Sequence, residues 1–198
     1  AVVTDINDYD RVLSELEQGG ITYETRRALA IKVFNTTASY DAAIANYFNK
    51  KDNLVPEKLT LSYKLQDSLR YGENPHQKAY HYVQDNNESY ALQNAVQLHG
   101  KEMSYNNIQD ASAALDILSE FDETTCVAVK HMNPCGVATG SSVFEAYSRA
   151  YEADPVSIFG GIVAVNGKVD KETAEKMHSI FLEIILATDY DEEALEIL

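Results

Sequence analysis

Basic residues are scarce in this chain. Sixteen Lys and Arg stand against 31 Asp and Glu in 198 residues, a formal net charge of -15. A nucleic-acid binder neutralises phosphates with a basic face, so no nucleic-acid partner is expected, and at most a local basic pocket for one small phosphate remains. Cysteine is nearly absent: Cys126 and Cys135 alone argue against a disulfide scaffold and suit a reducing cytoplasm. No apolar run approaches the roughly 18 residues of a membrane-crossing helix, so no membrane partner is expected. The opening AVVTDINDYD has neither the positive nor the apolar region of a signal peptide. Internal repeats and low-complexity stretches are also missing. What is present is ordinary for a globular protein, with 45% hydrophobic and 24% charged residues. The length suits one large domain or two small ones.

The ends suggest a piece of something longer. AVVTD looks like a strand already under way, and the chain stops inside DEEALEIL, an amphipathic helix with no Gly or Asn cap after it. Between them, 10–18 reads as a short helix closed by Gly19-Gly20. Thr22 can cap a second helix with Glu24 in its first turn. There Leu29, Val33, Tyr40, Ile44 and Phe48 recur on one face over about 26 residues, roughly 39 Å. The polar, Pro-containing segment 49–58 marks a domain junction. LTLSYKL (59–65) alternates as a strand, 70–78 is rich in turn residues, AYHYV (79–83) is a second strand and 84–89 a hairpin-type loop. A strand-like stretch at 91–100 and a polar turn, KEMSYNN, lead to a helix carrying Ile108, Ala111, Leu115 and Leu118.

TTCVAVK (124–130) has the continuous apolar pattern of a strand buried on both faces. The loop HMNPCGVATG follows, then a helix capped by Ser141 or Ser142. A loop at 154–161, the strand IVAV (162–165), a helix capped by Asp170 through His178 and a strand at 184–187 complete the chain. Alternating strands and helices predict an α/β fold with a mostly parallel sheet.

Ligands of open α/β sheets bind beyond the carboxyl ends of strands, which singles out Lys130 and His131, with Asn133, Pro134 and Gly136 behind them. A cation beside His131 disfavours the imidazolium and leaves the neutral ring that a general base needs. Lys130 can donate to a developing oxyanion or a leaving nitrogen. Gly136 and Gly140 are expected to let backbone approach a ligand. On the dipeptide alone, a solvated Lys and a loop-capping His are the plainer account. Arg70-Tyr71-Gly72 offers a guanidinium for a phosphate or carboxylate and a ring for a heterocycle. An ordinary turn explains it better by itself. Ser157 to Gly161 forms a small-residue loop suited to an anion, though it is neither a P-loop nor a dinucleotide fingerprint. The zinc deaminase signature, H-x-E then P-C-x-x-C, is defective here. Asn133 replaces the Glu and Ala138 the second Cys. His76 and His81 have no zinc-site spacing, and nothing orients His131 toward Cys135 as a nucleophile.

Four segments, LRYGENPHQ (69–77), GKEMSYNN (100–107), AVKHMNPCGVATG (128–140) and DPVSIFGGIVAVN (154–166), strongly resemble the PurH family of bifunctional purine-biosynthesis proteins. These join an IMP cyclohydrolase domain to an AICAR transformylase domain. The resemblance runs through the whole chain and raises the functional account of Lys130-His131 above the plain one. It implies that 1–50 is the helical tail of the cyclohydrolase domain, without its active-site segments. It implies that 59–198 is most of the first transformylase subdomain, a three-layer α/β unit with a cytidine-deaminase-like fold.

Carried over by motif, Lys130 and His131 match the catalytic pair. Arg70, Tyr71 and Gly72 match the AICAR-binding turn, Asn107 the carboxamide contact, and Phe159 and Gly160 a substrate loop. Glu183 falls loosely where an acidic residue lies near the folate. The implied reaction is formyl transfer from 10-formyltetrahydrofolate, as co-substrate, to AICAR, with no metal required. A cytoplasmic homodimer is implied for the full-length protein, and little activity for this stretch alone. The alternatives are a non-catalytic module holding a nucleotide phosphate through Arg70, and a zinc deaminase.

Overall fold

The computed structural model describes residues 1–84 and 91–198. It divides into two compact units, 1–64 and 65–198.

The first unit is built on two helices, α1 (Tyr9–Glu17) and α2 (Tyr23–Lys51). Thr22 caps α2 by accepting the Thr25 N–H at 3.2 Å. Glu15 ties the two helices together, accepting from the Thr22 N–H at 2.8 Å and the Thr25 hydroxyl at 2.5 Å. The Thr25 hydroxyl, foremost among these donors, holds the Glu15 carboxyl down at about 2. Lys32 bridges Asp5 and Asp8 at 2.8 and 2.7 Å, an exposed pairing of small energetic weight. The apolar face expected on α2 is only partly covered: Leu29 and Ala42 are buried, whereas Tyr40, Ile44 and Phe48 are exposed. Residues 1–5, expected as a strand, have no regular structure.

The second unit is mixed α/β. A two-stranded sheet pairs β1 (Lys64–Leu69) with β2 (Ala79–Val83). The strand expected over 59–65 starts only at Lys64: before it the chain lies against α2, with Ser62 bonded to Ser39 at 2.6 Å and the Thr60 carbonyl accepting from Asn46 Nδ2 at 2.9 Å, while Leu59, Leu61 and Tyr63 remain exposed. The stretch 91–100 is not a strand but a short 3-10 turn, Leu92–Asn94, followed by irregular chain. Beyond Gln84, the loop expected at 84–89 lies outside the described residues. α3 (Tyr105–Leu118) begins inside the expected polar turn, because Ser104 and Asn107 form a capping box.

The main sheet runs in the order β4-β3-β5-β7, with β3 (Thr125–Lys130), β4 (Asn133–Thr139), β5 (Ile162–Val165) and β7 (Ile184–Leu186). β3 is antiparallel to both β4 and β5, and only β5 and β7 are parallel. The expected mostly parallel sheet is thus corrected. A hairpin turns the chain back where a crossover helix would have kept it parallel. Two-residue strands β6 (Lys168–Val169) and β8 (Asp189–Tyr190) pair separately. Helices α4 (Val143–Ala153), α5 (Lys171–His178) and α6 (Glu192–Ile197) complete the unit.

Period-two alternation in β3 explains why helices cover both faces. Cys126 and Ala128 face α4 and share one core with its Val143, Ala146, Tyr147 and Ala150, which extends to Ala174 and Met177 of α5. Val127 and Val129 meet Ala111, Ala114 and Leu118 of α3. Each fully buried Val or Ile in these layers contributes about 1.5–3 kcal/mol of transfer free energy. Gly136 sits under α4 so closely that an added Cβ would lie 2.1 Å from the Ala150 carbonyl oxygen. At Gly140 the corresponding distance to the Ala146 nitrogen is 2.5 Å. Close approach to α4 accounts for both glycines.

Candidate active site

The segment after Lys130, expected as a loop, is the tip of a β-hairpin. Lys130 pairs with Asn133 across the ladder, leaving His131 and Met132 as the two turn residues. Both have left-handed backbone, with φ of 54° and 61°. Positive φ at both positions is the requirement of the type I′ turn, normally met by Asn-Gly. Side chains in that region cost about 1–2 kcal/mol per residue. The tip is therefore held from outside itself. Asp110 Oδ1 of α3 accepts the Met132 N–H at 2.8 Å, and Asn133 Nδ2 donates to the His131 carbonyl at 2.6 Å. The register shifts between Ala128 and Val129, which pair with Gly136 and Pro134, so Cys135 of β4 is the extra residue of an irregularity just past the turn.

Lys130 is half-buried and His131 exposed. The Lys130 ammonium donates to the Phe159 carbonyl at 2.5 Å, which commits one of its three protons and leaves two for a ligand. The loop carrying Phe159 is ordered by Asp154, whose carboxylate accepts from the Val156 and Ser157 N–H groups at 3.2 and 2.9 Å. The Ser157 hydroxyl foremost, and then these N–H groups, hold its carboxyl below the usual range. Gly160 takes φ of 68° and donates its N–H to the Phe181 carbonyl at 2.7 Å. The Phe159 and Phe181 rings lie 6.0 Å apart and tilted, and each is 56% exposed. The Glu183 N–H donates to the Gly161 carbonyl at 2.9 Å. Lys130 and the Phe159–Gly161 loop are thus bonded to each other, the backbone of Glu183 is bonded to that loop, and His131 follows Lys130 at the hairpin tip. An ammonium, an imidazole and two open aromatic faces suit an anionic or polar group attached to a planar heterocycle.

Asn107 contributes less than its type suggests. Its Oδ1 accepts from the Ser104 N–H and hydroxyl at 3.0 and 2.8 Å, so only the amide nitrogen is left for a ligand. Arg70 and Tyr71 stack on each other, with the guanidinium carbon 4.9 Å from the ring centre and Nη2 donating to the Tyr71 hydroxyl at 3.2 Å. Gly72 donates to the Gln77 carbonyl at 2.9 Å, and a Cβ there would press on the Gln77 side chain at 3.0 Å. The tight turn accounts for that glycine. Among the described residues no hydrogen bond or ion pair joins Arg70, Tyr71 or Gly72 to Lys130 or His131.

Two participants escaped the sequence. Phe181 opens an undistinctive stretch, and its contacts with Phe159 and Gly160 reveal it. Asp110 lies one helical turn beyond Asn107, and that i, i+3 spacing was the available signal. Cys135 is no activated nucleophile: burial, above all, pushes its thiol up, and its Sγ lies 3.5 Å from the Ala128 carbonyl. Among the described residues, no group of three or more His, Cys, Asp or Glu side chains is placed to hold a metal ion, and no helix is long and apolar enough to cross a membrane. A cavity of about 640 Å³ runs beside β7 between Leu92, Leu98, Met103, Ile185 and Leu198; Glu183 is the one candidate residue on its wall.

A family model described as AICARFT/IMPCHase bienzyme matches residues 1–198. A protein named bifunctional purine biosynthesis protein PurH from Lactobacillus acidophilus is 59% identical over 200 residues, covering all of this chain and 39% of the relative. Proteins of the same name from Lysinibacillus sphaericus and Bacillus mycoides are 58% and 56% identical, with the same coverage. The chain therefore spans 39% of the length of these curated relatives.

Proposed function

The chain belongs to the AICARFT/IMPCHase bienzyme family, and on that premise we propose that it forms one wall of an AICAR transformylase site. The reaction is formyl transfer from 10-formyltetrahydrofolate to the 5-amino group of AICAR in purine biosynthesis. The amine lone pair is delocalised into the imidazole ring, so holding the two substrates in contact supplies much of the rate. The nitrogen attacks the formyl carbon, and His131 takes the proton released from that nitrogen. The bond from carbon to folate N10 then breaks, and the proton is returned to N10. Lys130 steadies the tetrahedral oxyanion with a proton not committed to Phe159. Phe159 and Gly160 flank the AICAR base, Asn107 offers its amide nitrogen to the carboxamide, and Arg70 and Tyr71 with Gly72 bind the nucleotide. Glu183 lies toward the folate. No step draws on a metal.

The observation that supports this is the braced hairpin tip carrying Lys130 and His131, whose Lys130 ammonium donates to the carbonyl of Phe159 in the open Phe159–Phe181 pair. We extend the proposal to the organisation of the parent protein. Residues 1–50 belong to the cyclohydrolase domain that closes the product to IMP. Residues 59–198 belong to a cytidine-deaminase-like subdomain, a reading supported by helices on both faces of a four-stranded sheet. The full-length protein is a cytoplasmic homodimer.

The test is a chimera: this chain replaces the matching segment of the full-length Lactobacillus acidophilus relative, and transformylase activity is measured with and without His131→Ala. A loss of about 100-fold or more is expected, in the range of a positioned general base. Undiminished transfer would refute the role. A second reading, phosphate binding without turnover, is favoured by the exposed Arg70 guanidinium, which stacks on Tyr71 and has no carboxylate partner among the described residues. Calorimetry with AICAR on the isolated chain, wild type against Arg70→Ala, separates binding from catalysis.

A further inference from the structure

We propose that Asp110 is a positioning residue for His131, acting through the backbone of the hairpin tip; the inference rests on the transformylase reading above. His131 and Met132 both occupy left-handed backbone, at φ of 54° and 61°. Neither is Gly or Asn, so the turn's own sequence does not favour its shape. Asn133 steadies it from within the hairpin, donating to the His131 carbonyl at 2.6 Å. Asp110 is the contact from another element, accepting the Met132 N–H at 2.8 Å from the second turn of α3. α3 is itself fixed on the sheet by Ala111, Ala114 and Leu118, the first of which follows Asp110 directly. The helix therefore transmits the rigid position of the core to a solvent-facing tip. A carboxylate is a strong acceptor for a backbone N–H, and one at this site compensates part of the backbone strain.

Losing that acceptor leaves two strained residues at the end of an exposed hairpin, and the tip relaxes toward negative φ. His131 then moves relative to Lys130, which is independently tethered to the Phe159 carbonyl. A displacement of about 1 Å at a reacting centre can cost on the order of 100-fold in rate. Asp110 need not touch substrate for this to hold.

The test uses two readouts. In the isolated chain, amide hydrogen exchange at Met132 is followed by NMR for the parent, Asp110→Ala and Asp110→Asn. Asn keeps a carbonyl oxygen able to accept the Met132 N–H, so exchange accelerates about tenfold or more in Asp110→Ala and stays near the parent rate in Asp110→Asn. In the full-length chimera, Asp110→Ala lowers kcat by about 10–100-fold while KM for AICAR changes less than threefold, and Asp110→Asn restores most of kcat. Adding Met132→Gly to Asp110→Ala recovers part of the loss, because glycine takes positive φ without strain. If Asp110→Ala fails to fold, Asp110→Leu, close to Asp in size but without an acceptor, takes its place in both readouts: faster Met132 exchange and lower kcat are expected, and parent-like values overturn the proposal. Unchanged Met132 exchange in Asp110→Ala, or an Asn variant as impaired as the Ala variant, overturns the proposal. Failure of the catalytic reading is seen separately, as undiminished transfer by His131→Ala, while the exchange data continue to report on Asp110.

Discussion

Replacing Gly136 by Ala sets one methyl group against a helix backbone. Its Cβ would stand 2.1 Å from the Ala150 carbonyl oxygen, where ordinary contact begins at 3.4 Å, so β4 and α4 must separate by roughly 1.3 Å. The obstacle is a carbonyl inside a helix, not the end of a flexible side chain, and it cannot rotate away. Overpacking of a dense core costs about 1–3 kcal/mol and sometimes more, and a rigid obstacle selects the upper end. Restricting the unfolded chain returns about 0.4–1 kcal/mol. A net loss of about 2–3 kcal/mol is expected, and at roughly 2–4 °C per kcal/mol for a domain of this size Tm falls by about 4–12 °C. Thermal unfolding followed by circular dichroism measures it. Ala150→Gly should not rescue the variant, because the clash is with backbone oxygen and not with the alanine methyl. A Tm within about 1 °C of the parent, or restoration by Ala150→Gly, would show that the strand and helix yield more easily than the packing implies. The same variant should lower transformylase activity in the chimera, because β4 carries one arm of the hairpin whose tip is His131.

Further expectations concern stability. The Glu15 carboxyl is held down at about 2 in the folded chain against an ordinary value of 4.5, so its contribution is complete above about 4.5 and is lost as pH falls toward 2. An acid titration followed by helical circular dichroism should show the α1–α2 unit weakening across that window, with Glu15→Gln flattening the dependence; equal slopes in the two proteins would count against the assignment. The Tyr147 hydroxyl is buried with no hydrogen-bond partner among the described residues. Tyr147→Phe should therefore leave stability unchanged or raise it by up to about 1 kcal/mol in urea unfolding, and a clear loss would reveal a partner for that hydroxyl.

Where signals were local, the sequence could be read. α5 follows Asp170 and ends at His178 as expected, because Asp170 accepts the Thr173 N–H at 2.9 Å and the helix is specified by its own cap. β3 was legible because six consecutive residues are apolar or β-branched, and its exit pointed at Lys130 and His131. β4 was not legible. NPCGVAT contains Pro and Gly, and its turn carries His-Met where a hairpin ordinarily shows Asn-Gly. The direction of β5 relative to β3 is a long-range outcome that no window of sequence records. The site follows the same division. Lys130 and His131 are adjacent in the chain and stand out, whereas Phe181 and Asp110 arrive from 51 and 20 positions away from Lys130 and only through the packed sheet. Asn107 was visible as a polar residue in a turn, but its capping bonds to Ser104 depend on where α3 begins.

β3 lines two separate cores with alternate residues. A slip of one position along its neighbours would turn Cys126 and Ala128 toward α3, and Val127 and Val129 toward α4, underfilling the first layer and crowding the second. Neither helix layer can accept such a slide without the other refusing it. The chain position at which the imidazole and ammonium leave the sheet is therefore locked by aliphatic side chains that never meet a ligand. Conservative changes in the middle of β3 would shift Lys130 and His131 at its end by moving the whole ladder.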